Sequence, residues 1–439
     1  MPPRRGALLC WMLAVGLAAA ASDFSTIPIE TLREEGIYGD VVAVGNHLYF
    51  APKNEDNVGV LDTTDNTFTT ISTTGMTGDG KFNDAVVLGS KIYFGPYRAP
   101  DMGVLDTTTG TFTTVADSQF MMSDFLGAAA VSTTYTSGSL STTSTTIYFA
   151  PLNANYVGTF HTATEAFTTF VIPASFGMDM DRKFAGATAL GTKVYFSPYD
   201  ATGVGVFNTT NNTFHAIDIS ASVVSDEAKK YGSGVALGTK IYLAPSDQDN
   251  IGVVDTTTDT FSIINISATV TGMNKYYGAA AYGTSIYFAP RDQDSVGVLD
   301  TTTNLFTTID VTAAGVTDIA KYSGVAVIGN KLYFGPESQK NVGVLTLPAL
   351  PSSSSAGDDP TFIGADAVPY EVRPPPTHRP RPASPGPPSK RPCAPGGLRR
   401  RAAPSAACVA RQLLARTGAR RGVALLQPAL DADALAQRA

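Results

Sequence analysis

Five lysines recur at one place in a repeated pattern, twelve residues before a tyrosine: Lys81, Lys183, Lys230, Lys275 and Lys321. Each is followed by an aromatic residue, Phe82, Phe184, Tyr231, Tyr276 and Tyr322. Two further copies keep the aromatic as Tyr38 and Phe125 but place Ile37 and Asp124 where the lysine stands. A ring of cations backed by aromatic faces suits an anionic or sugar ligand at the mouth of a channel, by charge and by stacking. The competing account is packing, in which the lysine stem covers an aromatic at the start of a strand and its head stays in water. Three residues beyond the lysine position most copies have a small residue, but the first two have Asp40 and Asp84. Two carboxylates on adjacent inner strands can bind a cation, share a proton or accept hydrogen bonds from sugar hydroxyls. Pairing with a neighbouring lysine such as Lys81 is the alternative.

Three loops carry acids and amides close together: Asn54-Glu55-Asp56-Asn57, Asp247-Gln248-Asp249-Asn250 and Asp292-Gln293-Asp294. Oxygen-rich loops of this kind can hold a cation such as calcium, though the Gly and distal Glu of a dedicated calcium loop are absent, and solvated turns account for them as well. No other cofactor is implied. His47, His161, His215 and His378 fall in different repeats or outside them, so they do not converge on one metal. No nucleophile stands beside a base in the pattern. The enzymatic alternative is a cation-dependent carbohydrate lyase or lactonase that uses Asp40 and Asp84.

The elements that must position these residues are read from the repeat. Aligned on the tyrosine of an Ile-Tyr-Phe-Ala-Pro step, copies centre on Tyr49, Tyr93, Tyr148, Tyr195, Tyr242, Tyr287 and Tyr333, at spacings of 44, 55, 47, 47, 45 and 46 residues. The long spacing comes from a Ser/Thr/Gly stretch, Ser132 to Thr145, that lengthens the first hairpin of the third copy. Short strands at a period in the forties are the pattern of a propeller blade. In the most regular copy the strands run through Gly278–Tyr282, Ser285–Ala289, Val296–Leu299 and Phe306–Val311, with Gly283-Thr284 as a hairpin turn and Gly297 where a side chain would obstruct packing. The seventh copy lacks its fourth strand. Phe24 to Ile29 matches Phe306 to Val311 and sits 25 residues before Tyr49, as Phe68 sits 25 before Tyr93. The sequence therefore predicts an all-β, seven-bladed propeller of four-stranded antiparallel blades, its last blade closed by the N-terminal strand.

The third and fourth strands, Asn250 to Ile266, resemble the VSVIDTATNTVVATI element of YVTN-type propeller repeats. The first hairpin, Gly234 to Pro245, is similar to the kelch hairpin, without the kelch Gly-Gly pair or its tryptophan. The resemblance covers about residues 23 to 347. It implies a binding or interaction scaffold and transfers no catalytic residue.

The flanks differ in composition. Residues 1–21 read as an export signal, with Arg4 and Arg5 before an apolar run and small residues near Ala21. Residues 22–347 form the predicted propeller, and 348–439 a Pro-, Arg- and Ala-rich disordered tail. The tail from 351 holds 13 basic and 6 acidic residues, leaving 18 basic and 32 acidic in the first 350. So acidic a body is repelled by nucleic acid. The three cysteines, Cys10, Cys393 and Cys408, all lie outside the repeats. Asn208, Asn211 and Asn265 head Asn-X-Ser/Thr triplets and are candidate glycosylation sites. The reading is a secreted or cell-surface binding module, a monomer without a membrane span, whose partner is an extracellular glycan or protein. A structural or adhesive surface protein is the further alternative.

Overall fold

The computed structural model describes residues 23–350, apart from 31–32, 74, 118–119, 121–124, 138–139, 175–180 and 224–228. The expected export signal, most of the expected tail, and Asp124 lie outside the described residues. The strands form seven four-stranded antiparallel sheets, and no α-helix occurs among the described residues. Blade 6 is typical: Tyr276–Tyr282, Ser285–Pro290, Ser295–Asp300 and Leu305–Asp310. Its first strand begins two residues earlier than the sequence pattern suggests. The reason is a register shift between Tyr276 and Ala279, beyond which Tyr276 still pairs with Pro290. All seven blades carry this irregularity behind the first aromatic.

Ring closure follows the expected route. Strand Asp23–Pro28 pairs antiparallel with Asn341–Thr346, setting Phe24 opposite Leu345 as Phe306 stands opposite Leu299 in blade 6. Phe24 packs 6.4 Å from the Tyr322 ring and 5.8 Å from Phe334, against 6.3 and 6.4 Å for Phe306 with Tyr276 and Phe288. A Cβ on Gly297 would sit 3.0 Å from both Phe306 and Tyr276, and one on Gly343 would meet Phe24 and Tyr322. Glycine at this point lets the aromatics of the first and fourth strands meet over the third.

The core lies between blades. One cluster joins Tyr49, Ala51 and Val58 of blade 1 to Phe82, Ile92 and Phe94 of blade 2, and equivalent clusters fill the other junctions. Second strands are buried along nearly their whole length because both faces meet a neighbouring sheet, whereas fourth strands alternate and form the outer rim. The turn after the third strand is closed by an acid: Asp300 Oδ1 accepts the Thr302 N–H at 2.8 Å and its hydroxyl at 2.6 Å, and Asn304 takes a positive φ of 56°.

Candidate binding site at the channel mouth

The five lysines do not ring the channel mouth. They are 0–3% exposed and lie in the seams between blades, their ammonium groups turned to the second-to-third-strand loop of the preceding blade. Lys183 Nζ donates to the Asn153 carbonyl at 3.1 Å, Lys230 to Asp200 at 3.0 Å, Lys275 to Asp247 at 3.1 Å, and Lys81 and Lys321 to Asn54 and Asp292 at 3.3 Å. Three also meet a carboxylate, Asp56, Asp249 or Asp294, at 3.3, 3.0 and 3.0 Å. The heads are therefore not solvated, and their charge is withdrawn from the channel. Where Ile37 stands in place of lysine, the backbone bond common to all six described seams is kept: its N–H reaches the Glu337 carbonyl, as that of Lys275 reaches Ser246.

The partner aromatics Tyr38, Phe82, Phe184, Tyr231, Tyr276 and Tyr322 are fully buried in the same seams. Tyr231 and Tyr322 donate their hydroxyls to Asn250 Oδ1 at 2.5 Å and Asn341 Oδ1 at 2.6 Å. The oxygen-rich loops are likewise engaged. Asn54, Asp247 and Asp292 accept the backbone N–H groups of Gly80, Asn274 and Ala320 from the next blade at 2.6–2.8 Å. Among the described residues no three His, Cys, Asp or Glu side chains converge in a metal-binding arrangement. Asn211 is exposed in a turn, Asn265 is exposed at the end of the strand Thr260–Asn265, and Asn208 is partly covered where it replaces the aspartate of the Asp300-type turn.

Asp40 and Asp84 are brought together. Both stand at the irregularity behind the first aromatic, Asp40 within the shifted stretch and Asp84 where pairing resumes opposite Gly95, and both line the axial cavity. Asp84 Oδ1 accepts the Ala85 N–H at 2.7 Å, and Oδ2 accepts the Ala128 N–H of blade 3 at 2.7 Å. Its carboxyl is also hydrogen-bonded to Asp40. Burial pushes Asp84 up to about 6, against the opposing pull of these donors. Burial thus favours the protonated, uncharged form of Asp84 beside Asp40. Elsewhere in this ring the strands close backbone to backbone, and a Cβ on Gly324 would collide with Asp40 Oδ1. The axial cavity around the pair has a volume of about 240 Å³ and is otherwise lined mostly by Ala, Gly and Val.

Above it lies a second cavity of about 250 Å³ that the sequence pattern did not single out. Asn83, Leu126, Tyr277 and Ser323 line both cavities, so the upper one is the vestibule of the channel. One residue per blade follows the proline that ends the second strand: Lys53, Tyr97, Leu152, Tyr199, Ser246, Arg291 and Glu337. All of these except Ser246 line the vestibule. The signal was present as its opposite, since four residues beyond each repeat tyrosine is a place where the copies do not match.

The vestibule's charges are held in ion pairs, with one cation in excess of the two acids, Glu337 and Asp200. Glu337, 5% exposed, receives Lys53 Nζ at 3.0 Å and Arg291 Nε and Nη2 at 2.8 and 3.1 Å. Burial would raise its pKa, but the two cations outweigh burial and hold it at about 2. Arg182 pairs with Asp200 at 2.7 Å and stacks 5.9 Å from the Tyr199 ring, while Arg291 lies 5.9 Å from Tyr277. Burial pushes Tyr199 up to about 12 and Tyr277 well above its ordinary value, so both phenols stay neutral and keep their protons to donate.

No known protein family matches the chain, and no curated protein matches it in sequence. Solved structures do. One is described as Kuenenia stuttgartiensis hydrazine synthase, at 12% identity over 72% of this chain and 96% of that one, with a TM-score of 0.52. The RRP9 WD40 repeats are 10% identical over 74% of this chain and all of that one, TM-score 0.52. The extracellular domain of the putative hybrid two-component system BT4673 from B. thetaiotaomicron is 11% identical over 73% of this chain and 40% of that one, TM-score 0.52. At such identities the likeness is one of fold. The chain is a seven-bladed β-propeller, and the kelch-like and YVTN-like features remain a resemblance of sequence.

Proposed function

We propose that this protein is an extracellular binding propeller that takes a glycan at the vestibule, with Asp40 and Asp84 at its floor. The observation that carries the reading is the vestibule ring itself. Scaffold positions repeat from blade to blade, while the position that faces the mouth holds Lys, Tyr, Leu, Tyr, Arg and Glu. Neutral phenols and mutually paired charges suit a ligand rich in hydroxyls and without strong net charge, which stacks on a ring face while hydrogen-bonding around its edge. Secretion rests on the N-terminal signal pattern, and the likeness in fold to an extracellular domain of a putative two-component system is compatible with it. In this reading the five lysines and their aromatics hold the mouth loops in place and do not touch ligand. No helix among the described residues is long and apolar enough to cross a membrane.

The test is a glycan array with the secreted full chain and its Tyr199→Ala and Arg182→Ala variants. Binding should fall at least about tenfold in either variant, as expected for loss of an aromatic or Arg anchor. A wild-type protein that binds no glycan, or binding untouched by both substitutions, overturns the reading. A protein ligand captured at the same ring would support the fold's general role but not the glycan.

A further inference from the structure

One feature of the ring is not explained by binding at the mouth. In blade 3 the first two strands run Phe125–Ser137 and Leu140–Pro151, thirteen and twelve residues, where blade 4 has seven and six. Their pairing continues from Ser132 opposite Thr145 to Ser137 opposite Leu140. The third strand of the blade accompanies only Thr146 to Phe149. The outer rungs therefore form a two-stranded ribbon. Because first strands start at the vestibule, the ribbon leaves the ring on the opposite face.

Its base is tied down: the Thr145 carbonyl accepts the Thr162 N–H at 3.1 Å, and Ser144 Oγ meets His161 Nε2 at 2.8 Å. Beyond that, no strand among the described residues flanks the segment around Thr143. Hydroxyls pair across the ribbon, Ser132 with Thr145 at 2.8 Å and Thr134 with Thr143 at 3.1 Å, leaving the backbone edge as the group on offer. Natural proteins blunt exposed edges with lysine, proline, bulges or brevity. Residues 132–146 contain no charge and no proline. In addition, a lone two-stranded ribbon is only marginally stable in water.

We propose that the outer edge of this ribbon pairs with the same edge of a second copy of this chain, making a two-fold symmetric dimer in place of the monomer expected from the repeat. An antiparallel edge is complementary to itself under a two-fold axis. Charge favours a contact that holds the rings apart, since the first 350 residues carry 18 basic and 32 acidic residues. Two such rings repel each other at close range. Six rungs of ribbon project roughly 20 Å, which exceeds the ~8 Å screening length at physiological salt. The neutral edges can then meet while the acidic rings stay apart. Both vestibules remain open, on the outer faces of the dimer.

Light scattering of the secreted full chain tests this. The wild type should have twice the mass of a variant in which Ser132–Thr145 is replaced by the Gly-Thr turn of blade 6. Two variants that leave the blade intact keep the test independent of folding: Ser141→Glu with Thr143→Glu, and Ser141→Lys with Thr143→Lys. Each alone should be monomeric with an unchanged melting temperature, and an equimolar mixture should restore the twofold mass. A wild type that stays monomeric up to roughly 100 μM, a dimer that survives removal of the ribbon, or saccharide attached to Ser141–Ser144 of a monomeric protein overturns the proposal.

Discussion

The seams between blades and the vestibule draw on the same kinds of residue, lysine, arginine, acid and tyrosine, and use them in opposite ways. In the seams each lysine is enclosed, its ammonium bound to a carbonyl of the preceding blade and in three cases to an acid as well, and the arrangement recurs almost unchanged. In the vestibule each blade contributes a different side chain to a shared cavity. Repetition therefore separates two roles that residue type does not. A side chain serving closure must fit the same junction many times, while one serving a ligand must differ, because a single ligand does not have sevenfold symmetry.

The largest effect should come from the seam that the N-terminus completes. Deleting Phe24–Ile29 removes a strand that pairs along the whole of Asn341–Thr346, uncovers the aromatic cluster of Tyr322 and Phe334, and frees the chain end. The loss should be on the order of 5 kcal/mol or more. A truncated chain with the melting temperature of the intact protein would show that the ring is not closed this way.

Substitutions within the two regions should then diverge. Lys275→Ala strands the Asp247 and Gly272 carbonyls and Asp249 in a closed seam, and should cost about 2–4 kcal/mol. Tyr97→Ala in the vestibule removes a half-buried ring that Arg98 covers at 5.0 Å, and should cost less than about 1 kcal/mol. Denaturant midpoints of both variants read the contrast. Equal losses would mean that the vestibule is scaffold too.

The smallest effect is one of pH. Asp84 has a folded pKa of about 6, above its ordinary 3.8, so the folded state holds the proton more tightly than the unfolded chain. This contribution is fully present below about pH 4 and is lost as pH rises through about 6. Asp84→Asn, which cannot ionise, should gain in denaturant midpoint relative to wild type at pH 7.5 and show no such gain at pH 4. Equal differences at both pH values would mean that burial does not raise the pKa of Asp84 in the folded ring. Glu337 works in the other direction, its contribution fading only as pH falls from about 4.5 toward 2.

Much of the fold was legible in the chain. The Ile-Tyr-Phe-Ala-Pro step, the Gly-Thr turns and the Asp-Thr-Thr-Thr turns each act within a few residues of themselves, so local chemistry sets strand, turn and count. Closure by Phe24 was legible for the same reason, as a missing copy at one end and a surplus one at the other. The site was harder to read. Lys275 and its equivalents were marked by recurrence, yet recurrence does not say toward which neighbour a long side chain reaches, and all five reach backward into the preceding blade. Asp40 and Asp84 were found because they broke the pattern on adjacent inner strands. Arg291 and Glu337 broke it as well, but 46 residues apart and just past the last repeated proline, where nothing local indicates a shared cavity.

By itself the sequence determined the number of blades, the strand order within each and the strand that closes the ring, since all of these follow from period, turn chemistry and alternation. Only the tertiary structure decided which charged groups are spent on holding blades together and which face the axis. That choice depends on how neighbouring blades sit against one another, which brings together side chains from distant copies and turns similar residues in opposite directions.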